Sequence, residues 1–151
     1  MLKYSFDYDE ATAITTCTLY DSRKDKIFTG VAKCHPDDMD LNSKYTGSTI
    51  AEMRAQIAAL RDVRDNEIIP EIRALKEYYA AINQSKRFNP EGYENNMLQR
   101  KIRQKETELS DIRKLIAAHS QELKDFILSK EKCYQGIRRN RAVAAHEQGQ
   151  N

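Results

Sequence analysis

Residues 98–137 read LQRKIRQKETELSDIRKLIAAHSQELKDFILSKEKCYQGI. Stepping alternately by four and three meets Leu98, Ile102, Lys105, Leu109, Ile112, Ile116, His119, Leu123, Phe126, Lys130, Cys133 and Ile137, of which nine are apolar. That spacing keeps one stripe of a helix turned towards a partner over more than five heptads, so the stretch predicts a long seam-forming helix. Lys105, His119 and Lys130 interrupt the stripe, which makes it a weak core for a lone hairpin and predicts oligomerisation.

Upstream, Asn89 and Pro90 supply a start signal, Asn as N-cap and Pro at the first helical position. The preceding helix carries Ile50, Met53, Ile57, Leu60, Ile68, Ile72, Leu75, Tyr79 and Ile82, with a slip in spacing near Arg64. Pro70 lacks a backbone donor and crowds the turn before it, so a kink or break is expected at 66–69. Thr49 and Glu52 match a capping box, which sets the expected helix start at Thr49. At about 1.5 Å per residue the two helices reach roughly 55 and 70 Å, and a short connector makes them antiparallel neighbours.

The first 34 residues have a different period. Tyr4, Phe6 and Tyr8 share one face of an extended chain, and Ser5, Asp7 and Asp9 the other. ATAITTCTLY and IFTGVAKC, joined by DSRKDK, read as a β-hairpin. HPDDMDLNSKYTG (35–47) reads as a loop. The expected class is α+β: a small N-terminal antiparallel sheet module with its loop (1–48), a long antiparallel coiled-coil helical hairpin (49–140) and a flexible tail (141–151), forming one domain. Gly136 and RRNRAVAAHEQGQN mark where the last helix is expected to fray.

The composition narrows the function classes. Of 151 residues 32% are charged, with 25 basic against 23 acidic side chains and a net charge of +2. The mean hydropathy is −0.78. This suits solvent-washed helices and lacks the basic excess of a nucleic-acid binder. RRNR at 138–141 is a small basic cluster. A nucleic-acid binder using Arg138, Arg139 and Arg141 is the least favoured of three readings, because the charges nearly cancel. No twenty-residue apolar run or apolar leader core is present, and three scattered cysteines (Cys17, Cys34, Cys133) read as reduced thiols, so a cytoplasmic setting is expected.

Neither catalysis nor a cofactor is expected: no paired carboxylates, GxSxG, P-loop or GxGxxG stand out. Cys34-His35-Pro36-Asp37-Asp38 has metal-ligand residue types, but adjacent strand side chains point apart, so no metal site is expected. RFNPEGYENN (87–96) is too rich for a plain bend. Phe88 serves as a hydrophobic staple on local grounds. Aromatics beside amides and an arginine also make a stacking platform with edge and phosphate contacts for a nucleotide.

Residues 28–40 (FTGVAKCHPDDMD), 46–61 (TGSTIAEMRAQIAALR) and 88–102 (FNPEGYENNMLQRKI) resemble the phage anti-Thoeris proteins of the first type, a likeness that extends over roughly residues 4–135. The resemblance implies a non-catalytic sponge that sequesters a cyclic ADP-ribose isomer, with cyclic oligonucleotides at a separate site in some members. It implies a homo-oligomer, dimers building a hexamer, with the signal held between subunits in the host cytoplasm. Carried over residue by residue, it implies Phe88 for base stacking, Asn96 for an edge or ribose contact and Arg54 for a phosphate, with Tyr93 and Arg113 behind them. For a cyclic-oligonucleotide site it implies Arg23 and Thr29. The rival reading is an oligomeric coiled-coil scaffold or inhibitor that binds a protein partner.

Overall fold

The computed structural model describes residues 1–35, 43–84 and 93–150, without the side chains of residues 93 and 94. Strands β1 (Leu2–Asp9), β2 (Ile14–Asp21) and β3 (Lys26–Lys33) form an antiparallel meander in that order. Helix α1 (Lys44–Asp62), a π turn (Val63–Ile68), α2 (Ile69–Asn83) and α3 (Tyr93–Gly149) follow. This is the α+β class that the two periodicities predict. The chain divides into two compact units: Met1–Ala58 with His119–Asn151, and Ala59–Ala118. The division falls within α1 and α3.

In the first unit the strand alternation holds as read. Tyr4, Phe6 and Tyr8 lie opposite Leu19, Cys17 and Thr15, which lie opposite Phe28, Gly30 and Ala32, so all nine share one face. Helix α1 covers the β2–β3 part of that face. Cys17, Ala51 and Ala55 are fully buried there, and Leu19 is 1% exposed. The approach is close because the residues are small. A Cβ on Gly30 would stand 1.9 Å from the Ala51 carbonyl oxygen and 2.5 Å from the Ala55 nitrogen. Both turns of the meander are built by aspartates. Asp9 Oδ1 accepts the Ala11 N–H, and Asp21 Oδ1 accepts the Arg23 N–H, each at 3.0 Å.

Helix α1 starts five residues earlier than the capping box predicts. Ser43 Oγ accepts the Thr46 N–H at 3.4 Å and the Ser43 carbonyl accepts the Gly47 N–H at 3.0 Å, which makes Ser43 the cap. Thr49 lies inside the helix, where its hydroxyl donates to the Tyr45 carbonyl at 2.8 Å. Gly47, read as a loop residue, is helical. It lets the first turn sit against β2, since a Cβ there would stand 2.6 Å from Thr15 Oγ1.

The second unit is a helical hairpin. Ile68, Ile72, Ile112 and Ile116 form its buried cluster, flanked by Leu60, Val63 and Leu109. Tyr79 with Gln99 (2.9 Å), Lys76 with Glu106 (2.7 Å) and Glu71 with Lys105 (3.0 Å) bridge its helices. Tyr79, late in α2, meets Gln99 at the start of α3, while Lys76 and Glu71, earlier in α2, meet Glu106 and Lys105 farther along α3, so the two helices run antiparallel. The expected disturbance before Pro70 takes the form of the π turn, in which the Ile69 N–H reaches the Arg64 carbonyl, five residues back. The wide turn also absorbs the slip in apolar spacing. Twelve steps of about 100° would leave Ile72 about 120° round from Leu60, and taking up one residue reduces that to about 20°.

Helix α3 carries the seam. From Leu98 to Lys130 every seam position is buried or half-buried; at the next step Cys133 is exposed and Tyr134 takes the half-buried place. Helix α3 continues through Gly136, the expected point of fraying, to Gly149. A mid-helix glycine costs only about 1 kcal/mol, and Ala142, Ala144, Ala145, Glu147 and Gln148 are good helix formers. The Asn89-Pro90 start signal, Phe88 and the Pro36-Asp37-Asp38 run lie outside the described residues.

Candidate functional site

A concavity in the first unit opens where β2 begins and β3 ends. Its volume is about 150 Å³. Ala13 and Thr15 come from β2 and the turn before it, and Lys33, Cys34 and His35 from the end of β3. The first turns of α1 add Thr46 and Gly47, and α3 adds Lys130, Glu131 and Tyr134. Each element brings a different chemistry for a reason visible in the chain. Thr15 points inwards because it alternates with Cys17 and Leu19, and it is 3% exposed. Gly47 removes the side chain that would fill the floor. The Thr46 and Gly47 N–H groups are taken by Ser43, so this turn offers the cleft only the general positive end of a helix dipole.

Lys130 and His35 stand beside a floor of Thr15, Thr46 and Gly47, with one carboxylate, Glu131, among the lining residues. Lys33, by the alternation of β3, turns its side chain to the other sheet face. Lys130 Nζ also stands 5.4 Å from the Phe126 ring centroid, and Lys44 Nζ 5.0 Å from that of Tyr8. A small phosphate, or a phosphate with its sugar, suits this arrangement. The Tyr134 ring adds a surface on which a planar group can lie. Cys17 lies deeper under α1. Burial, aided by the charge of Glu52, pushes its thiol up, so it is a poor nucleophile.

A second polar cluster belongs to the hairpin unit. The Tyr79 hydroxyl accepts from Gln99 Nε2 at 2.9 Å. It also bonds the side chains of Asn83 and Asn95, and Asn83 contributes most to lowering its pKa below the usual phenol range. This explains Asn95, one of the amides in RFNPEGYENN. It is 5% exposed and ties the start of α3 to α2. An open groove of about 300 Å³ runs beside it, lined by Lys76, Tyr79, Gln99, Ile102, Arg103 and Glu106. The Lys76–Glu106 pair already neutralises charge there.

The residues expected from sequence fall into separate places. Arg54 is exposed in the first unit and its Nη1 donates to the Val31 carbonyl, at the outer edge of β3. Asn96 and Arg113 are exposed in the second unit. They stand seventeen residues apart on α3, about 25 Å along its axis, so one chain does not bring them to one small ligand. Tyr93 opens α3, and Phe88 lies outside the described residues. Arg23 is exposed in the β2–β3 turn, and Thr29 is exposed opposite Thr18 on the outer sheet face. Thr15, Lys33 and Tyr134 were not singled out from sequence. Lys130 was met only as a flaw in the seam, and Cys34 and His35 only as candidate metal ligands; these are the signals that pointed here.

Among the described residues no group of three or more His, Cys, Asp or Glu side chains is placed to hold a metal ion. None of the described helices is long and apolar enough to cross a membrane. No family model matches the chain, and neither a curated protein nor a solved structure matches it.

Proposed function

We propose that this chain is a non-catalytic binding protein that takes up and holds a cyclic ADP-ribose-type nucleotide signal, and so acts as a phage sponge against Thoeris-type defence. The observation that carries the reading is the cleft of the first unit, which Thr15, the first turn of α1, His35 and Lys130 line beside Tyr134. Those groups match a phosphate joined to a planar base. The cleft is smaller than the roughly 300 Å³ at which ligand pockets usually begin. A cyclic dinucleotide or cyclic ADP-ribose would therefore need a further wall, which agrees with a site completed by another copy. Cyclic oligonucleotides are the alternative ligands in the same chemical class.

Calorimetry against cyclic ADP-ribose isomers and cyclic di- and trinucleotides tests this. A true ligand at 100 times its Kd adds about 2.7 kcal/mol of stability. Lys130→Glu should abolish that gain, and heating the complex should release the ligand intact. Hydrolysed or ring-opened ligand, or a panel in which no compound stabilises the chain, would sink the proposal. Loss of binding in Phe88→Ala with Arg54→Ala, but not in Lys130→Glu, would move the site to the connector.

A scaffold or inhibitor that binds a protein partner is favoured by a separate observation. Helix α3 leaves Leu115, Leu128 and Val143 about half exposed. Such a protein should keep its partner in both sets of variants and ignore the nucleotides.

A further inference from the structure

Strand β1 lies at the edge of the sheet, with β2 as its strand neighbour. The Ser22 N–H donates to the Met1 carbonyl at 3.1 Å, which sets the alternation of the ladder. Odd-numbered residues of β1 turn their N–H and C=O groups to β2, and Leu2, Tyr4, Phe6 and Tyr8 turn theirs to the open edge. An open edge is a template for another strand unless something blunts it. On β3 the Arg54 guanidinium covers the outward Val31 carbonyl. On β1 the same residues that present backbone also present apolar side chains. Leu2 is 53%, Tyr4 40% and Phe6 47% exposed, on the face that α1 covers elsewhere.

The sequence of β1 names its occupant. Leu2-Lys3-Tyr4-Ser5-Phe6-Asp7-Tyr8 is chemically symmetric about Ser5. Laid antiparallel on a copy of itself and centred there, it sets Lys3 against the partner's Asp7, Tyr4 against the partner's Phe6 and Leu2 against the partner's Tyr8. The two-fold axis repeats each pair. The parity also fits: Tyr4 with the partner's Phe6 falls at a hydrogen-bonded pair. Lys3 with the partner's Asp7 falls at a non-hydrogen-bonded pair, where side chains stand closest and opposite charges stabilise. Centring on Tyr4 would set Lys3 against the partner's Ser5. Centring on Phe6 would turn Lys3 to the partner's Asp9, a carboxylate already spent on the Ala11 N–H. We propose that β1 is the surface through which two copies of this chain associate, joining their sheets edge to edge across an axis at Ser5. The inference does not depend on what the cleft binds.

Charge exchange on the full chain tests it, read by sedimentation velocity. Lys3→Asp places like charges opposite each other twice and should raise the dimer Kd about tenfold or more. Adding Asp7→Lys should restore wild-type association. Ser5→Cys in a Cys133→Ser background should give a disulfide-linked dimer on mild oxidation, because Cα atoms about 4.5 Å apart at such a pair lie within disulfide reach. Cys133→Ser alone is the control. The proposal is overturned if the wild type is monomeric, if Lys3→Asp with an unchanged circular dichroism spectrum still associates normally, if the exchanged pair rescues nothing, or if Ser5→Cys cross-links no better than its control.

Discussion

Around Gly30, Ala51 and Ala55 the backbone of a helix rests almost directly on a strand, whereas around Ile68, Ile72, Ile112 and Ile116 two helices meet through branched side chains. The first arrangement gains stability from closeness and has no spare room. The second gains it from apolar volume, at about 1.5–3 kcal/mol for each buried side chain of this size, and has no spare side chains. Polar groups follow the same division. Tyr20 donates to Asp25 at 2.9 Å in the first unit, which raises its pKa, while Tyr79 accepts from amides in the second, which lowers its own. The two units should therefore fail in opposite ways, one on addition and the other on removal.

The largest effect is expected from Gly30→Val. The atoms in its way are backbone, which cannot swing aside, so a loss above about 3 kcal/mol is expected by urea unfolding. Ile112→Ala removes volume from the other unit and should cost about 2–4 kcal/mol. If addition at Ile112 (to Phe) proved worse than removal, the contrast between the units would fail. Gly47→Ala should cost about 1–2 kcal/mol, since it meets chiefly the Thr15 hydroxyl. Combining it with Thr15→Ala should cost less than the sum, because that hydroxyl is then gone.

Smaller effects separate the polar groups. Glu108 and Glu71 hold Lys105 above the ordinary lysine value. A raised folded pKa gives a contribution complete below the unfolded pKa and lost as pH rises through the folded one. The thermal midpoint should accordingly fall in strongly alkaline solution, and Lys105→Met should flatten that fall. The smallest signal is spectroscopic. In an ultraviolet phenolate titration Tyr79→Phe should remove an early-ionising group, and Tyr20→Phe a late one. The reverse order would contradict the hydrogen-bond directions given above.

How much of this was legible in the chain depended on the range of the force involved. The strand faces could be read because Tyr4, Phe6 and Tyr8 alternate with polar residues, and pleating converts period two directly into sides. The α3 seam could be read because heptad spacing is itself the geometry. The start of α1 was misplaced because Thr49 and Glu52 do form the capping pattern, but Ser43 captured the first turn. Gly47 was misread because its smallness serves a contact with Thr15, a residue thirty-two positions away. The cleft was hidden for the same reason. Thr15, Lys33 and Tyr134 carry no local signature, and only the sheet, the first turn of α1 and the last half of α3 bring them together.

The π turn at Val63–Ile68 has a consequence for chain length. It is a helix's way of housing one surplus residue, and here absorbing that residue keeps Leu60 and Ile72 on the same side. Length and composition are therefore coupled in this stretch. Deleting Asp65 alone would tighten the turn to a regular helix and press the Pro70 ring against the preceding turn. Deleting it together with Pro70→Ala would leave an unbroken helix with the same buried face. Relatives of this chain that are one residue shorter between Leu60 and Ile72 are expected to have dropped the proline as well, which a set of homologous sequences would reveal at once.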